Sequence, residues 1–353
     1  MTHYKYVEQP LWIFPPGILR MPWEEVKGAC FQEKLTWMRM QVEGLRVPWE
    51  EGCEWLQVDR HNVLMSTQDA LIAANLRKEV KIRFDEEEVD DAGGLLREWL
   101  HLCIKELCDP DATGLLGLCN TEETAYKFLP DPSMTEDELY YKQALARMMG
   151  VVIGKGVFDR IPLGLYLTRC IWRQVLGQTP IMGDLYSYDR DVYKSCMDIL
   201  ATPEPEEMGL NFTYLVPHPR LPPQEVELKA GGRDIQLTAS NRQEWVDLLV
   251  KYLLVDSCRP FVEVVRQQIN QVFPIRILEV LEPHELESLI NGPPHINVRE
   301  WRQSTLYRGY KEGEKQVQWF WQYVEGLSQE KLGNLLHYVT GTRRVPVLGF
   351  FYL

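Results

Sequence analysis

The sequence predicts an α+β protein that is mostly helical, carries small β-hairpins and divides into two unequal lobes. Three observations lead there. Long stretches repeat their apolar residues every three or four positions, the period of a helix face. Clean alternation, the mark of a half-buried strand, is confined to short segments. Between them Asn291-Gly292-Pro293-Pro294-His295 breaks the pattern with two prolines, which deny the backbone both helical and ladder hydrogen bonds. At 353 residues and 45% hydrophobic content the chain can bury the cores of two or three domains.

Residues 1–60 are rich in tryptophan and proline, as in Pro10-Leu11-Trp12-Ile13-Phe14-Pro15-Pro16 and Pro48-Trp49-Glu50-Glu51, and read as an irregular arm with one helix across Ala29–Glu43. Val80-Lys81-Ile82-Arg83-Phe84 alternates and reads as a strand. From Ala92 to Cys108 the apolar Leu95, Leu96, Trp99, Leu102, Cys103 and Leu107 recur at three and four, with Asp90 and Asp91 at the positive end of the helix they predict. Leu139 to Phe158 is almost wholly apolar on every side and predicts a central buried helix, too short to span a bilayer. Val226-Glu227-Leu228 and Asp234-Ile235-Gln236-Leu237, joined through Gly231-Gly232, predict a hairpin.

Ser240-Asn241-Arg242-Gln243 has the form of a capping box ahead of Trp245, Leu248, Leu249, Tyr252 and Leu253, and a second helix follows over Pro260–Phe273. An acidic helix, Pro283–Ile290, runs into the 291–295 break, which reads as an interdomain hinge. Beyond it Val317, Phe320, Trp321 and Val324 form one helical stripe and Leu332, Leu335, Leu336 and Val339 another, with Ser328 placed to cap the second and Gly341 to end it.

Charge and composition exclude several functions. With 38 basic and 51 acidic residues the net charge is -13, which repels nucleic acid and anionic lipid. No apolar run suits membrane insertion, and Met1-Thr2-His3-Tyr4-Lys5 lacks the start of a secretory signal, so an intracellular, cytoplasmic protein is expected. Eight cysteines without a CxxC pair and seven scattered histidines predict reduced structural thiols, no metal site and no cofactor.

Candidate chemistry is also thin. Gly150-Val151-Val152-Ile153-Gly154-Lys155-Gly156 has three residues between its first glycines where a phosphate loop needs four, and no hydroxyl after the lysine, so the glycines read as sites of close helix packing. The acidic run Asp85–Asp91 lacks the ligand spacing of a calcium loop and reads as a solvated turn. Spacing alone yields no enzyme.

Taken together, Asp91-Ala92-Gly93-Gly94-Leu95-Leu96-Arg97-Glu98-Trp99, Gln318-Trp319-Phe320-Trp321 and Val339-Thr340-Gly341-Thr342 with Val345-Pro346 and Gly349-Phe350 resemble, in order and separation, the HECT-type ubiquitin ligases. The likeness extends from about Gln41 to Leu353 and includes Phe84-Asp85-Glu86, Pro274 and Leu289-Ile290-Asn291-Gly292. It implies a bilobal fold in which an N-lobe recruits a ubiquitin-charged conjugating enzyme and a hinged C-lobe carries the cysteine that accepts ubiquitin as a thioester. By resemblance the N-lobe is 61–290, with a docking subdomain at about 165–240, the hinge is Asn291, Gly292, Pro293, Pro294 and His295, and 296–353 is part of a C-lobe.

The implied docking groove maps to Val192, Cys196 and Ile199, to Met208, Leu210 and Phe212, and to Trp245. For Val192, Cys196, Ile199 and Trp245 the same spacing also suits plain core packing. The implied partners are a ubiquitin-conjugating enzyme and ubiquitin, and a larger protein assembly. The departure is the nucleophile: family members run on from the glycine-phenylalanine motif to a Thr-Cys-Phe segment, whereas no cysteine here follows Cys258, which precedes the hinge. The expectation is a chain that docks the conjugating enzyme but is inactive as given, either as a truncated ligase or as a natural pseudo-ligase serving as a binding subunit. The apolar, strand-like Val347–Leu353 segment is expected to need a covering partner.

Overall fold

The computed structural model describes residues 21–87, 94–119, 125–217, 222–347 and 349–350. The Pro10–Pro16 motif, Asp90, Asp91, Leu348 and residues 351–353 lie outside them. The larger lobe opens with α1 (Trp23–Lys27), α2 (Phe31–Glu43), β1 (Glu54–Val58), α3 (Val63–Ala73), β2 (Val80–Phe84), α4 (Gly94–Leu107) and α5 (Pro110–Thr113). It continues through β3 (Leu116–Leu118), β4 (Tyr126–Phe128), α6 (Glu136–Asp159), α7 (Arg169–Val175), α8 (Leu185–Tyr188) and α9 (Arg190–Ala201). Then come β5 (Thr213–Val216), β6 (Gln224–Glu227), α10 (Arg242–Lys251), α11 (Arg259–Val272) and α12 (Pro283–Asn291). The smaller lobe holds α13 (Val298–Ser304), α14 (Lys315–Glu325) and α15 (Gln329–Thr340).

The long apolar stretch is α6, and local chemistry sets its ends. Thr135 and Glu138 form a reciprocal capping box, and three acidic residues fill the first turn. Arg160, in the left-handed region at φ 60°, ends it ahead of Pro162. Inside the helix Gly150 and Gly154 let α11 approach. A Cβ at 150 would lie 2.6 Å from Gln268 Cβ and 2.7 Å from the Val265 carbonyl oxygen, and one at 154 would lie 2.9 Å from Val272 Cγ2. Lys155 is fully buried, donates to the Leu76 and Lys78 carbonyls at 3.0 Å and pairs with Asp159 at 2.8 Å. The glycine-lysine stretch is a packing device whose cation is consumed inside the lobe.

Three two-stranded sheets accompany the helices among the described residues. β1 and β2 are parallel with Leu56 opposite Ile82 and Val58 opposite Phe84, and α3 is the crossover such a pair requires. Glu54–Val58 is thus a strand within the stretch that reads as an irregular arm. The hairpin expected through Gly231-Gly232 is not formed. Val226 pairs instead with Tyr214 in the antiparallel β5/β6 sheet, and Gly232–Asp234 is a single 3-10 turn whose Gly232 carbonyl, with that of Ile235, accepts from Phe212 N. Nor does the Ser240–Gln243 capping box form, since the Ser240 hydroxyl is bonded to that of Thr238 and Gln243 donates to Asp247, and the residue that does precede α10 is Asn241. Its amide closes the preceding turn, accepting from Thr238 N at 2.7 Å and donating to the Gln236 carbonyl at 3.0 Å.

Two apolar cores result. The larger lobe has one continuous cluster, whereas Ile296, Val317, Trp321, Val324, Leu332, Leu336, Val345 and Phe350 form a second. In the second core the Trp301 ring stacks on Phe350 at 5.2 Å and meets Trp321 edge-on.

α2 is tied to the larger lobe by charge. Lys34 Nζ donates to Glu285 Oε2 at 2.8 Å in a buried pair, and Glu285 also accepts from Glu282 N to cap α12. Lys34→Met is expected to lower stability by about 3 kcal/mol because it leaves a buried carboxylate without its cation. Urea unfolding measures this, and Lys34→Met with Glu285→Leu should recover most of the loss; a single variant as stable as the parent contradicts the account.

Candidate functional site

The residues singled out between 192 and 245 gather on one subdomain built from α8, α9, β5, β6 and the first turn of α10. Asp189 starts α9 by accepting from the backbone of Asp191 and Val192, both at 3.2 Å. This registers Cys196 and Ile199 inward, where both are buried, and leaves Val192 half-buried on the same side. After the 3-10 turn Pro205–Met208, Gly209 at φ 62° turns the chain so that Leu210 is half-buried and Phe212 fully buried.

Trp245 holds this loop in place. It is 5% exposed, and its Nε1 donates to the Asn211 carbonyl at 2.8 Å. Lys229 lies over the Phe212 ring at 3.9 Å. The Glu206 carboxylate accepts from Ala239 N at 2.8 Å, and backbone hydrogen bonds hold it below the usual carboxylate range. Of the seven, Cys196, Ile199, Phe212 and Trp245 are buried, while Met208, 45% exposed, reaches the surface.

Sequence reasoning missed the surface itself. Ile181, Tyr186, Met197 and Leu215 are large apolar residues left exposed on this subdomain, Leu215 at 61%. Tyr186 packs edge-on against Tyr193 at 5.6 Å beneath the Arg190 guanidinium. The available signal was in Thr213–Val216, where alternation assigns Leu215 to the face opposite Val216, and in α9, where Met197 is one residue out of phase with Cys196.

A second functional region is the lobe junction. Asn291 is buried with both amide atoms lacking a hydrogen bond, and the Ile290 carbonyl accepts from Leu163 N at 2.8 Å. Gly292 is buried at φ 69° and ψ -177°, pressed against the Val345 carbonyl. Pro293 is half-buried, Pro294 and His295 are exposed, and Ile296 exchanges two backbone bonds with the Gln329 side chain at 2.8 and 3.2 Å.

The closing motif faces both lobes. Gly341 ends α15 at φ 77°, Val345 and Phe350 enter the small core, and the Arg344 guanidinium lies over the Tyr166 ring at 5.2 Å. Across the junction Arg97 donates to the Thr340 carbonyl at 3.0 Å and the His101 and His337 rings stand 5.7 Å apart. A cavity of about 460 Å³ lies between these elements.

The thiols offer little nucleophilic chemistry. Burial pushes Cys108 up to about 12 and Cys119, Cys196 and Cys258 up to about 11, and it raises Cys103 and Cys170 further. Cys30 is exposed and Cys53 half-buried. Among the described residues no group of three or more His, Cys, Asp or Glu side chains is placed to hold a metal ion, and no helix is long and apolar enough to cross a membrane.

The profile of the family described as HECT-domain (ubiquitin-transferase) matches residues 101–353. The E3 ubiquitin-protein ligase UPL2 of Arabidopsis thaliana is 30% identical over 332 residues, covering 91% of this chain and 9% of UPL2. The E3 ubiquitin-protein ligase RSP5 of Saccharomyces cerevisiae is 28% identical over 339 residues, covering 91% of this chain and 39% of RSP5. HACE1 of Danio rerio, also an E3 ubiquitin-protein ligase, is 28% identical over 335 residues, covering 87% of this chain and 36% of HACE1. The chain thus spans less than half the length of each of these relatives. The match over both lobes, together with two separate cores joined at the 291–295 segment, places this chain in the HECT-domain family of ubiquitin transferases.

Proposed function

We propose that the chain is a docking platform for ubiquitin transfer: an N-lobe at 61–290, a hinge at 291–295 and C-lobe residues at 296–353, with the subdomain at about 165–240 receiving a ubiquitin-conjugating enzyme. One observation carries this reading: Ile181, Tyr186, Met197, Met208 and Leu215 are exposed apolar side chains on that subdomain, whose Cys196, Ile199, Phe212 and Trp245 are buried. Large apolar residues left exposed suit a protein partner, and buried side chains in the same elements fix the backbone that presents them. Val192, Met208 and Leu210 are the predicted residues available for contact, and the negative charge of the chain complements a basic face on the partner. The same proposal holds that these 353 residues do not themselves carry the ubiquitin thioester.

Docking is tested by titrating a conjugating enzyme linked stably to ubiquitin. Met208→Ala is expected to weaken binding by about 1 to 2 kcal/mol. Trp49→Ala, an exposed residue lining a different cavity with Glu43 and Glu79, should leave it unchanged. Trp245→Ala should weaken docking and lower the melting temperature together, because it frees the Asn211 carbonyl and the loop above it. Undiminished affinity of a folded Met208→Ala chain removes this surface from the interface.

A further inference from the structure

We propose that the cavity at the lobe junction is a binding site for a small multivalent phosphate anion that bridges the two lobes. This inference is independent of the docking surface, which lies on another subdomain. The cavity of about 460 Å³ is within the size range of small-molecule sites. From the larger lobe it is lined by Arg97, His101 and Lys105, spaced at i, i+4 and i+8 and therefore one stripe of α4 about 12 Å long. From the smaller lobe Arg343 and Arg344 complete it, and Asp109 and Glu330, both exposed, are the acidic residues on its lining.

Setting aside Arg97, which is engaged elsewhere, the described lining still carries Lys105, Arg343 and Arg344 against Asp109 and Glu330, in a chain whose net charge is -13. An anion repelled by the protein as a whole is drawn to this one place. Cations contributed by two lobes favour a ligand with charge at both ends, and arginine forks match phosphate oxygens in pairs.

The histidines report the same field. The His101 pKa is depressed by burial and then by the facing His337 and Arg343 of the smaller lobe and Lys105 of its own helix, with Glu98 opposing them. His337 Nδ1 is buried without a hydrogen-bond partner. Because the folded His101 pKa is depressed, the unfolded chain binds its proton more readily. The empty junction therefore loses stability as pH falls below about 6.5. An anion in the cavity reverses that penalty by favouring the charged ring, so binding takes up a proton and strengthens toward acid.

The test is isothermal titration of the 353-residue chain with inorganic tripolyphosphate at pH 6 and pH 8 and constant ionic strength. One saturable site per chain is expected, tighter at pH 6. Arg343→Gln with Arg344→Gln should weaken it by roughly tenfold or more, and Arg233→Gln, an exposed arginine of the docking subdomain, should not. His101→Gln should shift the pH 6 to pH 8 affinity ratio toward weaker binding at pH 6 than in the parent while sparing the affinity at pH 8, and circular-dichroism melting confirms that each variant is folded. Absence of a saturable site, or affinity unchanged in the folded double arginine variant, overturns the site. An affinity ratio between the two pH values that is the same in the parent and in His101→Gln overturns the coupling to His101, and with it the placement of the anion beside it.

Discussion

Gly292→Ala is expected to unseat the small lobe, at a cost of about 3 kcal/mol. Two terms combine. The backbone at φ 69° and ψ -177° belongs to a region essentially reserved for glycine, worth about 1 to 3 kcal/mol when any other residue is forced into it. An added Cβ would also overlap the Val345 carbonyl oxygen, which is backbone and cannot swing away. Val345 belongs to the small core, so relief must come by moving the lobe. The small core is a cluster of eight buried residues, too little to absorb such a loss.

Chemical denaturation followed by tryptophan fluorescence should show an early transition of the small lobe with the larger lobe unchanged, and X-ray scattering should show a larger radius of gyration. Gly309→Ala separates the two terms: its φ is 77°, yet nothing lies within 4 Å of an added Cβ. That variant should lose only the conformational part, about 1 kcal/mol. A Gly292→Ala protein as stable and as compact as the parent would show that the junction is not pinned at this glycine.

The parts of the fold legible in the sequence are those with one face buried against one neighbour. α4, α11, α14 and α15 each announce themselves by a three-four repeat, because the side of the helix that meets the core is fixed by the 3.6-residue period, and α6 announces itself by being apolar all round. β1 was hidden for the opposite reason. Its five residues have Trp55 outward and Leu56 and Val58 inward, too short an alternation to stand out among prolines and tryptophans, and its partner β2 is a parallel strand beyond α3. The hairpin misassignment is also one of nonlocal pairing. Val226 pairs with Tyr214, twelve residues earlier, and Gly231-Gly232 served a 3-10 turn.

The docking subdomain divides the same way. Cys196 and Ile199 satisfy a repeat that fits a groove wall or a core equally, and the neighbours that bury them come from elsewhere in the chain. Met197 and Leu215 could be named as surface only once their helix and strand had been docked. The resemblance supplied the docking idea; burial sorted supports from contacts.

Incubation of the 353-residue chain with ubiquitin-charged conjugating enzyme is expected to yield no reductant-sensitive ubiquitin adduct. Thioester transfer needs a thiolate within reach of the incoming carbonyl. A thiol pushed to about 11, as in Cys119, Cys196 and Cys258, is ionised in roughly one molecule in three thousand at pH 7.5, some 300-fold below an ordinary thiol. Access compounds this. Cys103 and Cys196 are wholly buried, and the Cys258 thiol is engaged with the Leu254 carbonyl at 3.2 Å, so attack on another protein's thioester first requires local opening of the lobe.

Cys30 and Cys53 lie outside that core and also outside the small lobe, so movement about residues 291–295 does not carry them toward a docked partner. Non-reducing electrophoresis with and without dithiothreitol reads the result, and Cys30→Ser with Cys53→Ser locates any signal. A dithiothreitol-sensitive band in the parent overturns the expectation, and its survival in the double variant would place the thioester on a buried thiol. The rate at which the conjugating enzyme loses ubiquitin should match the rate without the chain even when the two are bound. The proposed docking depends on a presented apolar surface and transfer on an accessible thiolate, so binding without transfer is the outcome expected of these residues.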